Sequence, residues 1–368
     1  MSAPATAPRV LLHATEPDLR PAIRVLAQGL SDRPQAPEVL VSGIDLILPQ
    51  DGARAIDAFF DANPVGLLVM AGSLLPATLI ERAHARGIAL MLVGAGTPAA
   101  VGRWRLFPGL TRTLLSHFHE IHARDRAAVA AITRILRRAG PIHETGSLAR
   151  YPAVPACNTF ELDALRDALG ARPAWCAYGL PLEEAEAALL AHAHALRRAH
   201  RLLLILQPSD PDSGAAIAGR ARDVGFVCAR RSRDEDIDET VQVYIADTDD
   251  DPGLFLRLAP VAFLGGSLSP GVATPPAITA ASLGAALVFG PEVEADQAGL
   301  LSALAATGGG RQIGVAAELG EALNALLAPD VGAQAALKAW MLATEGSEAT
   351  QTVARAILDW AQLNGGRA

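Results

Sequence analysis

No apolar run in the 368 residues approaches the roughly 18 that a membrane-spanning helix needs. No transmembrane helix is therefore expected. Met1 to Arg9 is rich in Ala and Pro and has no charged segment ahead of an apolar one, so the start predicts a loose tail and no secretory signal. The 3 cysteines, Cys157, Cys176 and Cys228, are far apart and form no Cys-x-x-Cys pair. That spacing argues against a metal knuckle or a disulfide framework, and predicts buried apolar thiols in a reducing compartment. Lysine is nearly absent, Lys338 being alone of its kind, and nothing mechanistic follows from it.

What is present is globular: 51% of residues are hydrophobic and 19% charged, in a chain long enough for two ordinary domains. Charge is uneven. Residues 1–150 hold 16 Arg against 12 acids, while residues 151–368 hold 15 basic residues against 27 acids. A mildly basic first part suits an anionic acceptor or a membrane surface. Scattered, solvated arginines are the plainer explanation.

Short apolar runs alternate with helical patterns along the whole chain. Val10–Ala14, Gly66–Met70, Ala89–Val93 and Glu120–Ala123 predict strands in the first half, with helices over Pro21–Leu30, Ala53–Phe60, Pro76–Arg86, Gly109–His117 and Asp125–Ala139. The second half predicts strands at Trp175–Tyr178, Leu202–Leu206, Phe226–Cys228 and Val241–Ala246, with helices over Leu182–Ala199 and Ala215–Val224. Further helices fall at Gly253–Leu258, Ala295–Ala306 and Glu318–Leu327. Val353, Ile357 and Trp360 mark a last amphipathic helix, expected to pack on the first domain. Arg230–Glu239 reads as a charged, solvated loop and Gly308–Arg311 as a flexible one. Such alternation predicts an α/β protein with parallel sheets and helices on both faces. Tyr151 to Asn158, with two prolines, reads as a linker. The expected domains are 1–150, a linker at 151–157, 158–349, and a closing segment 350–368.

One stretch carries the strongest local signal. Val261–Leu264 reads as a buried strand, Gly265-Gly266-Ser267 as a tight turn, and Pro276 to Gly284 as a helix led by proline; a second strand then closes at Gly290-Pro291. In such a βαβ unit the turn lies at the carboxyl end of a strand, where open α/β sheets bind ligands. Backbone amides there and at the helix start suit phosphate. A glycine turn without any ligand fits the same spacing.

The order of these residues resembles the 3-deoxy-D-manno-octulosonic acid (Kdo) transferases, a GT-B glycosyltransferase family. The family's apolar strand running into Gly-Gly-Ser-Leu, its proline-containing helix and its Gly-Pro strand end correspond to Gly265–Leu268, Pro276 and Gly290-Pro291. His13-Ala14 followed by an acid and Leu-Arg resembles its first loop. Arg86-Gly87-Ile88, Thr145-Gly146, Trp175 with Glu183-Glu184, Leu203–Pro208 and Asp247-Thr248 follow in the family's order. Departures are equally specific. The family's Pro-Arg-His reads Pro208-Ser209-Asp210, so a phosphate-binding arginine is missing. The Glu that takes the donor ribose is Ile278. The acceptor-side Glu-Thr-Glu-Leu-Trp-Pro reads Ala71–Pro76, with both acids and the Trp lost.

The resemblance implies two Rossmann-like, doubly wound domains facing a cleft, with a C-terminal helix crossing back. It implies Kdo transfer from CMP-Kdo to a lipid A precursor in lipopolysaccharide biosynthesis, by a peripheral protein on the cytoplasmic face of the inner membrane, with no catalytic metal and no nucleic-acid partner. Asp18 would be the catalytic base, with Glu16 a nearby substitute. Gly265, Gly266, Ser267 and Pro276 would hold the donor. On its own, Asp18 reads equally as a helix cap, and His13 as a hydrogen-bonded strand-end histidine. The acidic run Asp247–Asp251 reads as a cap and solvated loop. The lost polar positions leave open a non-catalytic GT-B paralogue that binds or regulates, or a transferase of another nucleotide sugar.

Overall fold

The computed structural model describes residues 9–33, 36–49, 51–101, 109–137, 140–152, 154, 156–248 and 252–364. The N-terminal tail and Asp249–Asp251 lie outside the described residues. The chain divides into two compact units: Met1–Ala153 together with Thr344–Ala368, and Val154–Ala343.

Unit 1 is built on strands β1 (Arg9–Ala14), β2 (Glu38–Val41), β3 (Leu67–Ala71), β5 (Ala89–Ala95), β7 (Glu120–Ala123) and β8 (Ile142–Glu144). They form one parallel sheet in the order β2-β1-β3-β5-β7-β8. Two short strands, β4 (Leu74–Leu75) and β6 (Ala99–Ala100), pair beside it. Alternate side chains leave a strand on opposite faces, which explains the continuous apolar runs: both faces are covered. Val10, Leu12, Leu67 and Val69 pack under helices Arg20–Ser31 and Ser347–Asn364. Leu11, Leu68 and Met70 pack on the other face, against Ile56, Leu79, Leu114 and Ile132 from four further helices. Asp125 starts the last of these by accepting from the Ala128 amide at 2.7 Å.

The C-terminal helix is part of this core. Val353 and Ile357 are fully buried, and burying each is worth about 1.5–3 kcal/mol. The Trp360 ring lies so close over Gly66 that a Cβ there would meet it at 2.8 Å. At the start of the helix, Thr350 Oγ1 accepts from the Ala149 amide at 2.7 Å.

Unit 2 has seven parallel strands: β9 (Ala174–Leu180), β10 (Leu203–Pro208), β11 (Cys228–Arg230), β12 (Val243–Ile245), β13 (Val261–Leu264), β14 (Ala286–Phe289) and β15 (Gly310–Gln312). Their order is β11-β12-β10-β9-β13-β14-β15. Here too neighbours along a strand face opposite cores: Leu204 and Leu206 with Trp175 and Phe263, and Leu203 and Ile205 with Tyr244 and Phe255.

Several expectations change. A helix over Thr159–Leu169 follows the linker directly, and Asn158 starts it by accepting from the Glu161 amide. Another helix spans Pro329–Thr344. The glycines before Arg311 are not a free loop: β15 pairs with β14, and Gly309 packs so closely on the Ala339 backbone that a side chain would not fit. Edge pairing of this kind is made by backbone, so composition does not announce it. Arg230–Glu239 is also not simply solvated, since Arg230 and Arg231 make ion pairs with Asp247 and Glu161. Of the thiols only Cys176 is buried, and burial pushes its ionisation up; Cys157 and Cys228 are half-buried and free.

Candidate functional site

Each sheet has one point where successive connections leave in opposite directions. In unit 1 this is between β1 and β3, and in unit 2 between β9 and β13. Crevices at the carboxyl ends of such strands are where this architecture binds ligands.

In unit 1 the crevice is laced by the loop after β1. Thr15 donates from its amide and from Oγ1 to the Ala71 carbonyl, at 2.8 and 2.9 Å. Glu16 Oε1 accepts from the Ser73 amide at 2.6 Å. Asp18 lies in the single 3-10 turn Pro17–Leu19 and is exposed. No side chain caps either that turn or the helix after it, so Asp18 does not act as the helix cap that its position allowed. Of the two carboxylates, Glu16 is committed to the loop and Asp18 is open to solvent. His13 is 5% exposed and shares a 3.1 Å hydrogen bond between Nδ1 and Ser42 Oγ. Burial, and then the Arg20 cation, lower its ionisation to about 4, so it is neutral at pH 7. Arg20, Arg24 and Ser42 border a small cavity of about 40 Å³ beside it.

The unit 2 crevice is organised differently. The Gly265-Gly266-Ser267 turn does follow β13, and Gly266 has a φ of 79°, a conformation that favours glycine. A Cβ on Gly266 would stand 2.5 Å from the Ala273 carbonyl oxygen, and one on Gly179 would stand 2.9 Å from Pro275 Cβ. These glycines let the turn and the 273–275 segment close against the end of β9.

The amides of Gly265, Gly266 and Leu268, however, are already occupied, the first by the Tyr178 carbonyl. Glu184 is 3% exposed, and its carboxylate accepts from the Gly266 and Leu268 amides, each at 2.9 Å. Ser267 Oγ donates to the Leu264 carbonyl at 2.5 Å and accepts from the Gly290 amide at 2.8 Å. Pro276 is exposed ahead of helix Ala277–Ser282, and the first amide of that helix goes to Gln297 Oε1 at 2.7 Å. Amides expected to face a phosphate are thus met by two side chains of the protein itself.

The open space lies beside them. A cavity of about 370 Å³ sits at the carboxyl ends of β9 and β10, bounded by Tyr178, Gln207, Pro208, Pro211, Thr274 and Pro275 among others. That volume is in the range of small-molecule sites. None of the described residues lining it is charged. Burial raises the Tyr178 phenol, partly offset by a hydrogen bond with Thr279. Asp247 is withdrawn from any ligand role. Its side chain is buried and accepts from Arg230 Nε at 2.7 Å, from the Ser232 amide at 3.0 Å and from Ser232 Oγ at 2.9 Å. Burial alone would raise its carboxyl, but these donors hold it below the usual range. Among the described residues no cluster of three His, Cys, Asp or Glu side chains could hold a metal ion.

Sequence reasoning did not single out Gln207 or Gln297, and noticed Glu184 only through resemblance. Gln207 left one legible trace: a lone amide closing the apolar run Leu202–Leu206 just before Pro208. Nothing local marks Glu184 or Gln297, because their partners lie 82 and 20 residues away.

Comparison with known proteins supports the resemblance. Residues 29–150 match the family profile described as 3-deoxy-D-manno-octulosonic-acid transferase. Over 255 residues the chain is 29% identical to the Arabidopsis thaliana protein named "Probable 3-deoxy-D-manno-octulosonic acid transferase, mitochondrial", covering 67% of this chain and 56% of that protein. Over 224 residues it is 26% identical to the 3-deoxy-D-manno-octulosonic acid transferase of Haemophilus influenzae, covering 60% of this chain and 52% of that protein. The chain thus spans about half the length of the curated relatives it matches. Among solved structures, the C-terminal CMP-Kdo binding domain of WaaA from Acinetobacter baumannii aligns at 21% identity with a TM-score of 0.46, over 50% of this chain and 96% of that domain. Over residues 29–150, and over the stretches matched to these two relatives, the chain is similar to the 3-deoxy-D-manno-octulosonic acid transferases.

Proposed function

We propose that this protein is a glycosyltransferase that moves Kdo from CMP-Kdo to a lipid A precursor. The observation that carries the reading is the sequence match to two Kdo transferases, over 255 and 224 residues. In the proposed step an acceptor hydroxyl attacks the anomeric carbon of the sugar. The bond to the phosphate oxygen breaks, and CMP leaves. Asp18 takes the hydroxyl proton; its open position at the unit 1 crevice suits a general base, which needs access to the acceptor. Gly265, Gly266, Ser267 and Pro276 contribute as the frame that holds the 273–275 segment at the wall of the donor cavity. The excess of arginine in residues 1–150 suits an anionic glycolipid and the inner membrane surface that carries it. No described helix is long and apolar enough to cross a membrane, so the proposed placement is peripheral.

A second reading has its own support. Glu184 and Gln297 fill three of the amides near a donor phosphate, those of Gly266, Leu268 and Ala277, which favours a paralogue that keeps the fold and binds without transferring, or a transferase of a different nucleotide sugar. A mass assay with CMP-Kdo and a lipid A precursor separates these. Transfer by the wild type, slowed about 10²–10⁴-fold in Asp18→Asn, is the expected result. A wild type that transfers nothing from CMP-Kdo overturns the first reading, and an Asp18→Asn variant with full activity removes Asp18 from the mechanism.

A further inference from the structure

The small cavity of unit 1 is lined by positive charge that the fold does not neutralise. It lies at the carboxyl ends of β1 and β2, where Ala14, Arg20, Ile23, Arg24, Val41 and Ser42 meet. Arg20 and Arg24 stand one turn apart on helix Arg20–Ser31, so they share a face. Among the described residues neither guanidinium makes a hydrogen bond or an ion pair. None of the described lining residues is acidic, and the first turn of the helix holds no acid. Nearby carboxylates are engaged elsewhere: Asp45 Oδ2 accepts from the Val41 amide at 2.7 Å, and Glu16 from the Ser73 amide. The Arg20 charge is felt at His13, whose ionisation it helps to lower. Ile23 and Val41 are buried, and charge beside such apolar walls is screened less than in bulk water.

The donors that remain are side chains. The Ser42 and Gly43 amides go to the Leu12 and Leu46 carbonyls, at 2.9 and 2.7 Å. Ser42 Oγ has one partner, His13 Nδ1 at 3.1 Å. The volume of about 40 Å³ has room for about three water-sized atoms. A phosphate monoester presents three strong acceptor oxygens. We propose that Arg20, Arg24 and Ser42 form a binding site for a phosphate group, taken either as the free ion or as the monoester end of a larger molecule. The two guanidinium groups hold its oxygens as charge-assisted forks. Ser42 donates its hydroxyl to the same group while accepting from His13 Nδ1–H. The site needs neither Asp18 nor a sugar donor, so it stands or falls apart from the transfer reading.

The test is titration of the full chain with inorganic phosphate and with phenyl phosphate, at constant ionic strength made up with chloride, followed by NMR of the His13 ring. In wild type, millimolar phosphate is expected to move the His13 resonances and to raise its pKa from about 4, because an anion beside the ring favours imidazolium. Arg24→Gln should weaken binding about tenfold or more. Arg24→Lys, which keeps the charge without the fork, should weaken it less. Both variants should melt with wild type when no phosphate is present, since Arg24 is exposed and unpaired. Vesicles of phosphatidylcholine containing phosphatidic acid, a lipid phosphomonoester, separate the two sources. Wild-type cosedimentation that is lost in Arg24→Gln upholds the site and assigns it to a headgroup; small-anion binding without cosedimentation upholds it for the free ion. A His13 ring that responds to neither phosphate nor phenyl phosphate overturns the proposal. So does phosphate binding that is equally tight in wild type and Arg24→Gln.

Discussion

The two crevices occupy the same topological position in their sheets and have been filled in opposite ways. After β1, the loop of unit 1 spends one carboxylate, Glu16, on a single amide and leaves Asp18 in solvent, while Arg20 and Arg24 of the following helix border a small cavity. After β9, unit 2 buries Glu184 against two amides of the glycine turn and leaves an uncharged cavity next to it. The first crevice holds carboxylates and arginines around a small cavity, the second a larger cavity lined without charge. Strand order locates a crevice, but the side chains entering it decide its chemistry, which is why fold alone does not specify function.

The two crevices should differ most at their tethering carboxylates. Glu184→Ala strips a charged acceptor from two buried amides and should cost about 3–6 kcal/mol, at 1.5–3 for each charge-assisted bond. Glu16→Ala removes one acceptor from a half-buried loop and should cost about 1 kcal/mol. Urea unfolding of the two variants measures the contrast, and equal losses would mean that the crevices are not built differently.

Acid should weaken both units. His13 in unit 1 and His192 in unit 2 are each lowered to about 4, chiefly by burial. The His192 Nδ1 accepts from Trp175 Nε1 at 3.1 Å, which requires the neutral ring. The unfolded chain takes up these protons near pH 6.5 and the folded one only near 4, so stability falls as pH drops through that window and levels off below it. Each histidine is worth on the order of 3 kcal/mol across the window. Melting temperature followed from pH 7 to 4 in wild type, His13→Gln and His192→Gln checks this; slopes unchanged by the substitutions would contradict it.

A smaller contrast sharpens what the glycine turn does. Gly266 and Gly271 both have positive φ, but a Cβ on Gly271 meets nothing within 4 Å. Gly266→Ala should therefore destabilise by about 1–3 kcal/mol more than Gly271→Ala, the cost of overpacking against Ala273. Matched losses in chemical denaturation would show that backbone conformation, not close approach, demands the glycine. Asp18→Asn should have the least effect on stability, within about 0.5 kcal/mol, because its carboxylate caps no helix. A clear loss in the same denaturation experiment would mean that Asp18 is structural.

Alternation of apolar runs with helical patterns was enough to read the central strands of both sheets, since strands covered on two faces must be apolar throughout and helices covering them must carry one apolar stripe. The Gly-Gly-Ser turn, its strand and its helix were legible for the same local reason. The helix at Thr159–Leu169 was missed in the sequence, where its only local mark is the cap Asn158 with Glu161 three residues on, next to the prolines of the linker. The edge strand β15 was not legible, because its pairing is made by backbone.

The α/β class, the positions of most strands, the glycine turn and the one-faced pattern of Val353, Ile357 and Trp360 are local properties of the chain, because each of these is set by residues within a few positions of one another. Which groups meet in the crevices was set by folding. Glu184 reaches the Gly266 amide, Gln297 caps the helix after Pro276, the C-terminal helix closes on β1 and β3, and Gln207 is left unpaired at a cavity wall. Those outcomes depend on hydrogen bonds and contacts between residues far apart in the chain, whose geometry exists only once the sheets have formed.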